Sequence, residues 1–493
     1  MFSPSIFRAN DIRGVWQKDF DLSFTKDLAF ALALLAKQKR IKSPKFLIGY
    51  DARLSSPSLS KSLARSLKDQ GCQVSMIGLA PSPLCYFLTH HCKLTAGVVV
   101  TASHNPSEFN GFKILFHKKY KILKPISLLK KILSQTKEQK KVFKTKGGFL
   151  PLEKEKAYID SLKKEFYQSY LNFRPNCPSR ESMPSWKHGG GNLHKKLQKS
   201  NRIGVKTKPI SFIVDTGNGA LGPLAKKVFK SLGLKVKVLY EKPDGRFPHH
   251  HPDPTVEKNL KDLKRELKKE GFEFGCAFDG DGDRLVLVNS KGKSLLGDEL
   301  AFLLLKSLKP RKKPLVLADV KCSDWFFQKA KKQGVKIKMT KSGHGLIRAE
   351  MEKTKALLAV EFSGHIFFND RKNRGFDDAL YACLRWIEFF NSQKKSLEEL
   401  LPQVLSAKTG EIRLNMPERE VKKKLLKVKD YLIKRRESFK SLDGVRLSRE
   451  DGWCLFRSSK TQSALTMRFE ARTKEELKNL KEEFSQVMDC KIP

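Results

Sequence analysis

Residues 211–240 read SFIVDTGNGALGPLAKKVFKSLGLKVKVLY. SFIVDTGNG (211–219) opens as a short apolar run and closes in a Gly/Asn/Asp turn, the pattern of a buried strand. PLAKKVFKSLG (223–233) repeats apolar residues at helical spacing and stops at Gly233. KVKVLY (235–240) then predicts a second strand, residues 256–270 a helix, and FEFGCAFD (272–279) a third strand. Strands alternating with helices imply an α/β domain with a largely buried sheet.

The same rhythm extends in both directions. Upstream, KDLAFALALLAKQ (26–38) and SLSKSLARSLKDQG (58–71) predict helices, while KFLIGYD (45–51), QVSMIGL (73–79) and AGVVVTA (96–102) predict strands. Downstream come helix DELAFLLLKSL (298–308), strand PLVLADV (314–320), helix SDWFFQKAKKQG (323–334) and strand KIKMT (336–340). The last 85 residues change character: strands EIRLNM, GVRLSRE, GWCLFRSS and LTMRFEA with two lysine-rich helices form an α+β pattern with antiparallel strands. Four units are expected, three of them α/β and similar in rhythm, the last a smaller C-terminal α+β unit. The expected units are 1–166, 203–298, 299–408 and 409–493. A basic Pro/Gly-containing insertion or linker at 167–202 separates the first two.

At 493 residues, three or four domains are expected. A 40% hydrophobic content excludes global disorder. No apolar run approaches the roughly 18 residues of a membrane span, and MFSPSIFRANDIRG at the N-terminus lacks the apolar region of a secretory leader. A cytoplasmic protein without a membrane role is the expectation. Nine cysteines scattered singly, with no CxxC pair, indicate reduced thiols rather than disulfides or structural zinc. The net charge of +46 raises polyanion binding. The lysines are spread over ordinary helices, however. The two densest stretches, 117–146 with eleven lysines against one glutamate and 167–209 with nine Lys/Arg against one, lack the interleaved aromatics that stack bases.

Five stretches carry chemistry. DGDGDR (279–284) places three aspartates at alternate positions with glycines between, so the carboxylates can converge on one hard cation. An EF-hand is excluded because Arg284 and Ser290 stand where Gly and Glu are required. TASHNP (101–106) puts Ser103 and His104 at the carboxyl end of a strand, where open α/β sheets bind ligands; a simple Ser-Asn-Pro turn would look the same. SGHG (342–345) and EFSGH (361–365) present histidines and hydroxyls in short loops. RSSKT (457–461) combines an arginine with three hydroxyls and a lysine after a strand, a composition that suits phosphate or a generic polar turn. Together they point to phosphoryl chemistry on a polar, anionic small molecule.

In this order the motifs resemble the α-D-phosphohexomutase superfamily, and within it the bacterial phosphomannomutase/phosphoglucomutase group. FRANDIRG (7–14), GYDARLSS (49–56), VVTASHNPSEFNGFKI (99–114), VDTGNGALG (214–222), PDGRFPHHHPDPTVEKNL (243–260), DVKCS (319–323) and GFDDALYACLR (375–385) extend the likeness over nearly the whole chain except 167–209. The resemblance implies a fold of three similar α/β domains with mixed sheets plus a smaller C-terminal α+β domain around a central cleft, and an isomerase that interconverts hexose 1-phosphate and hexose 6-phosphate, mannose or glucose, through a phosphoserine at Ser103 and a hexose 1,6-bisphosphate. It implies one Mg²⁺ held by Ser103, Asp279, Asp281 and Asp283, with glucose 1,6-bisphosphate or mannose 1,6-bisphosphate as activator. Arg13, His104, Lys113, Arg284 and Lys321 would surround the transferring group, and His344 would lie near the reacting hydroxyl. Glu361 and Ser363 would bind sugar hydroxyls with His365 nearby. Arg457, Ser459 and Thr461 would grip the other phosphate. The chain departs from the family pattern at Asn10, Lys460, Gln462, Ser463 and Thr466. The alternatives are a phosphoglucosamine mutase and a polyanion-binding protein on a mutase scaffold. A phosphosugar is the expected partner, nucleic acid is not, and the chain is expected to be a monomer or dimer.

Overall fold

The computed structural model describes residues 2–122, 124–135, 141–171, 210–269, 271–308, 313–371, 375–393, 395–401, 407–459 and 463–493. Most of the basic stretch 167–209 lies outside the described residues, as do Lys460, Thr461 and Gln462.

The first sheet joins β1 (Ile12–Val15), β2 (Lys45–Tyr50), β3 (Gln73–Leu79), β4 (Ala96–Val100), β5 (Phe109–Phe116) and β6 (Gly148–Phe149) in the order β1-β5-β4-β2-β3-β6. The second joins β7 (Ser211–Asp215), β8 (Lys235–Leu239), β9 (Phe274–Phe278), β10 (Leu285–Asn289) and β11 (Ser294–Leu295) in the order β11-β10-β9-β7-β8. The third runs β13-β12-β14-β15, from β12 (Leu315–Asp319), β13 (Lys336–Thr340), β14 (Leu358–Val360) and β15 (Ile366–Phe368).

All three sheets share one plan. Parallel strands make the buried centre, and an antiparallel partner flanks them on one side: β4 with β5, β9 with β10, β14 with β15; β1 and β11 add one more antiparallel strand beyond β5 and β10. The connection inside each antiparallel pair is a loop singled out in the sequence: TASHNPSE, DGDGDR and EFSGH respectively. Strands buried on both faces read as apolar runs, which is why AGVVV, FGCAF and LVLAD are legible from composition.

The C-terminal sheet is antiparallel: β16 (Ala407–Lys408), β17 (Ile412–Asn415), β18 (Phe439–Lys440), β19 (Val445–Ser448), β20 (Gly452–Ser458) and β21 (Ala464–Ala471). It packs beneath the helices Glu418–Lys434 and Lys474–Met488 around Val428, Phe456, Phe469 and Phe484. Arg457 and Ser458 belong to β20 itself, so RSSKT begins within the strand rather than after it.

Two helices tie the units together. Lys156–Leu171 and Ala379–Asn391 pack on each other, and the Tyr158 hydroxyl donates to Asp378 at 2.8 Å. Ala379–Asn391 is buried on nearly every side, Arg385 included. The expected helix over 256–270 is a 3₁₀ turn, Glu257–Leu260, followed by the α-helix Lys261–Leu267. No helix among the described residues is long and apolar enough to cross a membrane.

Candidate active site

A cavity of about 360 Å³ lies where the four sheets meet. Arg13, Ser103, His104 and Lys113 reach it from the first unit, Arg284 from the second, Lys321, His344, Glu361, Ser363 and His365 from the third, and Arg457 and Ser459 from the last. The three aspartates are fully buried behind it, in contact with Ser103 and Lys113. Of the candidate site residues read from the sequence, Thr461 alone lies outside the described residues.

Ser103 sits two residues after Thr101 at the end of β4, in left-handed backbone with φ +53°. A serine there costs about 1–2 kcal/mol, so the surroundings must hold it. Its hydroxyl donates to Asp279 Oδ2 at 2.7 Å and lies 3.2 Å from His104 Nδ1. Burial, with Arg284 and Arg13 nearby, holds the His104 imidazole well below its usual pKa and therefore neutral.

Asp279, Asp281 and Asp283 are fully buried, and each offers an oxygen within 4.8 Å of the others. Asp279 Oδ1 accepts from the backbone N–H groups of Asp283 and Arg284, which fixes the turn. Burial and the two neighbouring carboxylates push Asp279 up to about 8. The Lys113 ammonium donates to both Asp281, at 2.7 Å, and Asp283. Burial opposes its charge, but those carboxylates outweigh it and its pKa rises. Asp281 Oδ1 and Asp283 Oδ1 remain buried without a hydrogen-bond partner. Three carboxylates with open oxygens and no sulfur or nitrogen donor among them fit a hard divalent cation.

The sugar-loop candidates are pinned to the metal loop. Arg284 and His365 form an antiparallel bridge, Leu285 N–H donates to Gly364 O at 3.0 Å, and Gly364 has φ +96°. Any Cβ at Gly364 would meet Leu285 O at 2.7 Å, so this approach requires glycine. Arg284 Nε donates to His365 Nε2 at 3.0 Å, which places the ring proton on Nδ1, facing Asp377 Oδ2 at 2.8 Å. Arg348 Nη2 donates to His344 Nδ1 at 3.2 Å, so the free donor of that ring is Nε2–H, buried without a partner. Lys321 lies 3.4 Å from Glu411 and 3.7 Å from Glu361; those carboxylates overcome burial and raise its pKa. Glu361 Oε2 and Ser363 Oγ are likewise buried with no partner.

At the far end, Arg457 is buried and pairs with Asp443 at 3.3 Å. Thr466, one of the departures from the family pattern, lines the cavity and donates to Arg457 O at 3.3 Å. Glu411 and Arg413 also line the cavity and were missed in the sequence. Their alternation in EIRLNM was the available signal, because residues two apart share one strand face. Asn10, Thr255 and Ser342 line it as well.

The chain matches three family models: phosphoglucomutase/phosphomannomutase alpha/beta/alpha domain I over residues 4–164, domain II over 194–292 and domain III over 296–407. The second match begins inside the stretch read as an insertion. A phosphomannomutase/phosphoglucomutase of Pseudomonas aeruginosa is 33% identical over 99% of this chain and 97% of its own length. A phosphoglucomutase of Neisseria gonorrhoeae is 33% identical, covering 98% and 96%. Among solved structures, a phosphoglucomutase/phosphomannomutase family protein of Burkholderia thailandensis aligns with TM-score 0.78 at 28% identity, over 99% and 98% of the two chains. The loops that converge on one cavity and these full-length matches agree: the chain belongs to the phosphoglucomutase/phosphomannomutase family of the α-D-phosphohexomutases and is a phosphosugar mutase, an isomerase.

Proposed function

We propose that this mutase interconverts hexose 1-phosphate and hexose 6-phosphate, with mannose and glucose as the hexoses, through a phosphoserine at Ser103 and a hexose 1,6-bisphosphate. The observation that carries the reading is the Ser103 hydroxyl on Asp279 at 2.7 Å, in a cavity reached by all four units. In this reading the units 1–166, 203–298, 299–408 and 409–493 each supply one loop.

In the forward half-reaction the sugar hydroxyl oxygen bonds to phosphorus as the P–Oγ bond to Ser103 breaks. The net proton movement is from that hydroxyl to Ser103 Oγ, and the return half-reaction reverses it at the sugar's other end. Phosphoryl transfer needs alignment and positive charge more than covalent help. Lys321 and the arginines Arg13 and Arg284 supply charge, and Lys113 neutralises the aspartates. Asp279 Oδ2 and neutral His104 are the groups within reach of the serine proton. On the sugar side His344 Nε2–H donates, while Glu361 and Ser363 accept and donate to hydroxyls. Arg457 and Ser459, with Thr461, grip the phosphate that is not moving, and Arg413 adds a second guanidinium. Asp279, Asp281 and Asp283 would hold one Mg²⁺, whose charge stabilises the transferring oxygens when bound.

The test is a coupled mutase assay with Mg²⁺ and a catalytic amount of glucose 1,6-bisphosphate. It compares mannose 1-phosphate, glucose 1-phosphate and glucosamine 1-phosphate. Turnover of the first two, abolished by EDTA and by Ser103→Ala, is expected. Preference for glucosamine 1-phosphate would overturn the substrate assignment, and an active Ser103→Ala enzyme would overturn the phosphoserine.

A further inference from the structure

Arg53, in the motif GYDARLSS, has no role in the reading above, yet it is fully buried and its guanidinium is spent on the serine loop. Nη2 donates to Ser103 O at 2.9 Å and to Asn105 O at 2.6 Å. Nη1 donates to Phe109 O at 3.0 Å and to Pro106 O, and Nε donates to Asp51 Oδ2 at 3.0 Å. Asp51 Oδ2 also accepts from the Thr101 hydroxyl at 2.7 Å, and Thr101 Oγ1 accepts the Ser103 N–H at 2.8 Å. Both backbone groups of Ser103 are thus held in one closed circuit: N–H to Thr101, to Asp51, to Arg53, and back to the Ser103 carbonyl.

The second unit caps the circuit. The Phe247 ring lies 5.3 Å from the Arg53 guanidinium carbon. Its loop reaches there because Gly245 meets the 52–54 turn so closely that a Cβ would stand 2.4 Å from Ala52 O. With φ of Ser103 forced positive, the direction of its Oγ depends on how firmly the backbone on either side is fixed.

We propose that Arg53 is a positioning residue for phosphoryl transfer, holding Ser103 in its left-handed conformation so that Oγ faces Asp279 and the cavity. The proposal rests on Ser103 as the phosphoryl carrier. Lysine in its place would keep the charge opposite Asp51 but cannot span four carbonyls, because its three donors radiate from one point.

The test compares Arg53→Lys and Thr101→Val with the unaltered chain. Thr101→Val opens the same circuit on its other side and keeps the side-chain volume. Phosphorylation of Ser103 by glucose 1,6-bisphosphate is followed in single turnover with peptide mapping, alongside kcat, KM and thermal unfolding. Both variants are expected to phosphorylate Ser103 and turn over about 100-fold more slowly, with KM for the phosphosugar within threefold, because neither residue touches the cavity. Folded variants with normal rates would overturn the proposal. So would a loss of activity that only tracks the fraction unfolded, with a normal phosphorylation rate for each folded molecule. If the unaltered chain takes phosphate at a residue other than Ser103, the carrier assignment fails first and Arg53's role falls with it. If Arg53→Lys does not fold, Thr101→Val decides.

Discussion

Gly280→Ala tests whether the spacing between the metal loop and the serine loop sets the rate. Gly280 lies against the Ser103 carbonyl, and a Cβ built there would stand 2.6 Å from that oxygen, with Pro252 Cγ at 3.4 Å on the other side. Ordinary contact begins near 3.4 Å, so the two loops must part by about 0.8 Å. Ser103 O cannot simply swing away, because Arg53 holds it. The displacement therefore passes to the 2.7 Å contact between Ser103 Oγ and Asp279. Misplacement of a reacting group by 1 Å costs on the order of 100-fold, so kcat should fall by roughly 10–100-fold. KM for the phosphosugar should change little, since the phosphate grip at Arg457 is remote in the fold. Overpacking costs about 1–3 kcal/mol of stability, which calorimetry would register as a lowered Tm in a chain that still folds. Steady-state kinetics on the purified variant, checked by circular dichroism, would decide. Wild-type kcat in a folded Gly280→Ala enzyme would refute the spacing argument.

Three further outcomes are expected. Arg457→Lys replaces a planar fork by a point charge at the phosphate grip and should raise KM on the order of 10-fold with a smaller change in kcat, measured in the same assay. EDTA should abolish turnover, and Mg²⁺ should both restore it and raise Tm, because it relieves three buried carboxylates now balanced by Lys113; a Tm indifferent to Mg²⁺ would count against the aspartate site. Desolvation of the half-buried His90, with His117 beside it, pushes its imidazole down to about 3. Its folded pKa lies below the ordinary 6.5, so the unfolded chain takes up the proton first. Stability from this group is therefore whole above pH 6.5 and is lost as pH falls from there toward 3. Melting curves between pH 7.5 and 4.5 should show this loss, and His90→Gln should show less of it.

Much of the local structure is legible in short segments for a physical reason. A strand buried on both faces must be apolar throughout, so AGVVV, FGCAF and LVLAD declared themselves, and the alternation with helices such as PLAKKVFKSLG implied the α/β units. The loops at the strand ends carried their own chemistry: three aspartates in DGDGDR, and Ser103 with His104 in TASHNP. The helix Ser82–His91 is not among those the spacing predicts, because burial on nearly all sides erases periodicity, and Ala379–Asn391, also nearly all buried, is not among them either.

Convergence was another matter. That Lys113 inserts between Asp281 and Asp283, that Arg284 holds His365, that Glu411 and Arg413 reach the cavity and that Arg53 grips the Ser103 carbonyl are contacts between residues 50 to 170 positions apart or in different sheets. Secondary structure follows from the side chains of a dozen neighbouring residues. Which loops face one another follows from how four sheets pack, and each of those contacts depends on burial that no short segment encodes. The amino-acid sequence by itself determined the units, their order and the chemistry each loop carries. Only the tertiary structure decided which of those groups touch and which residue holds the serine in place.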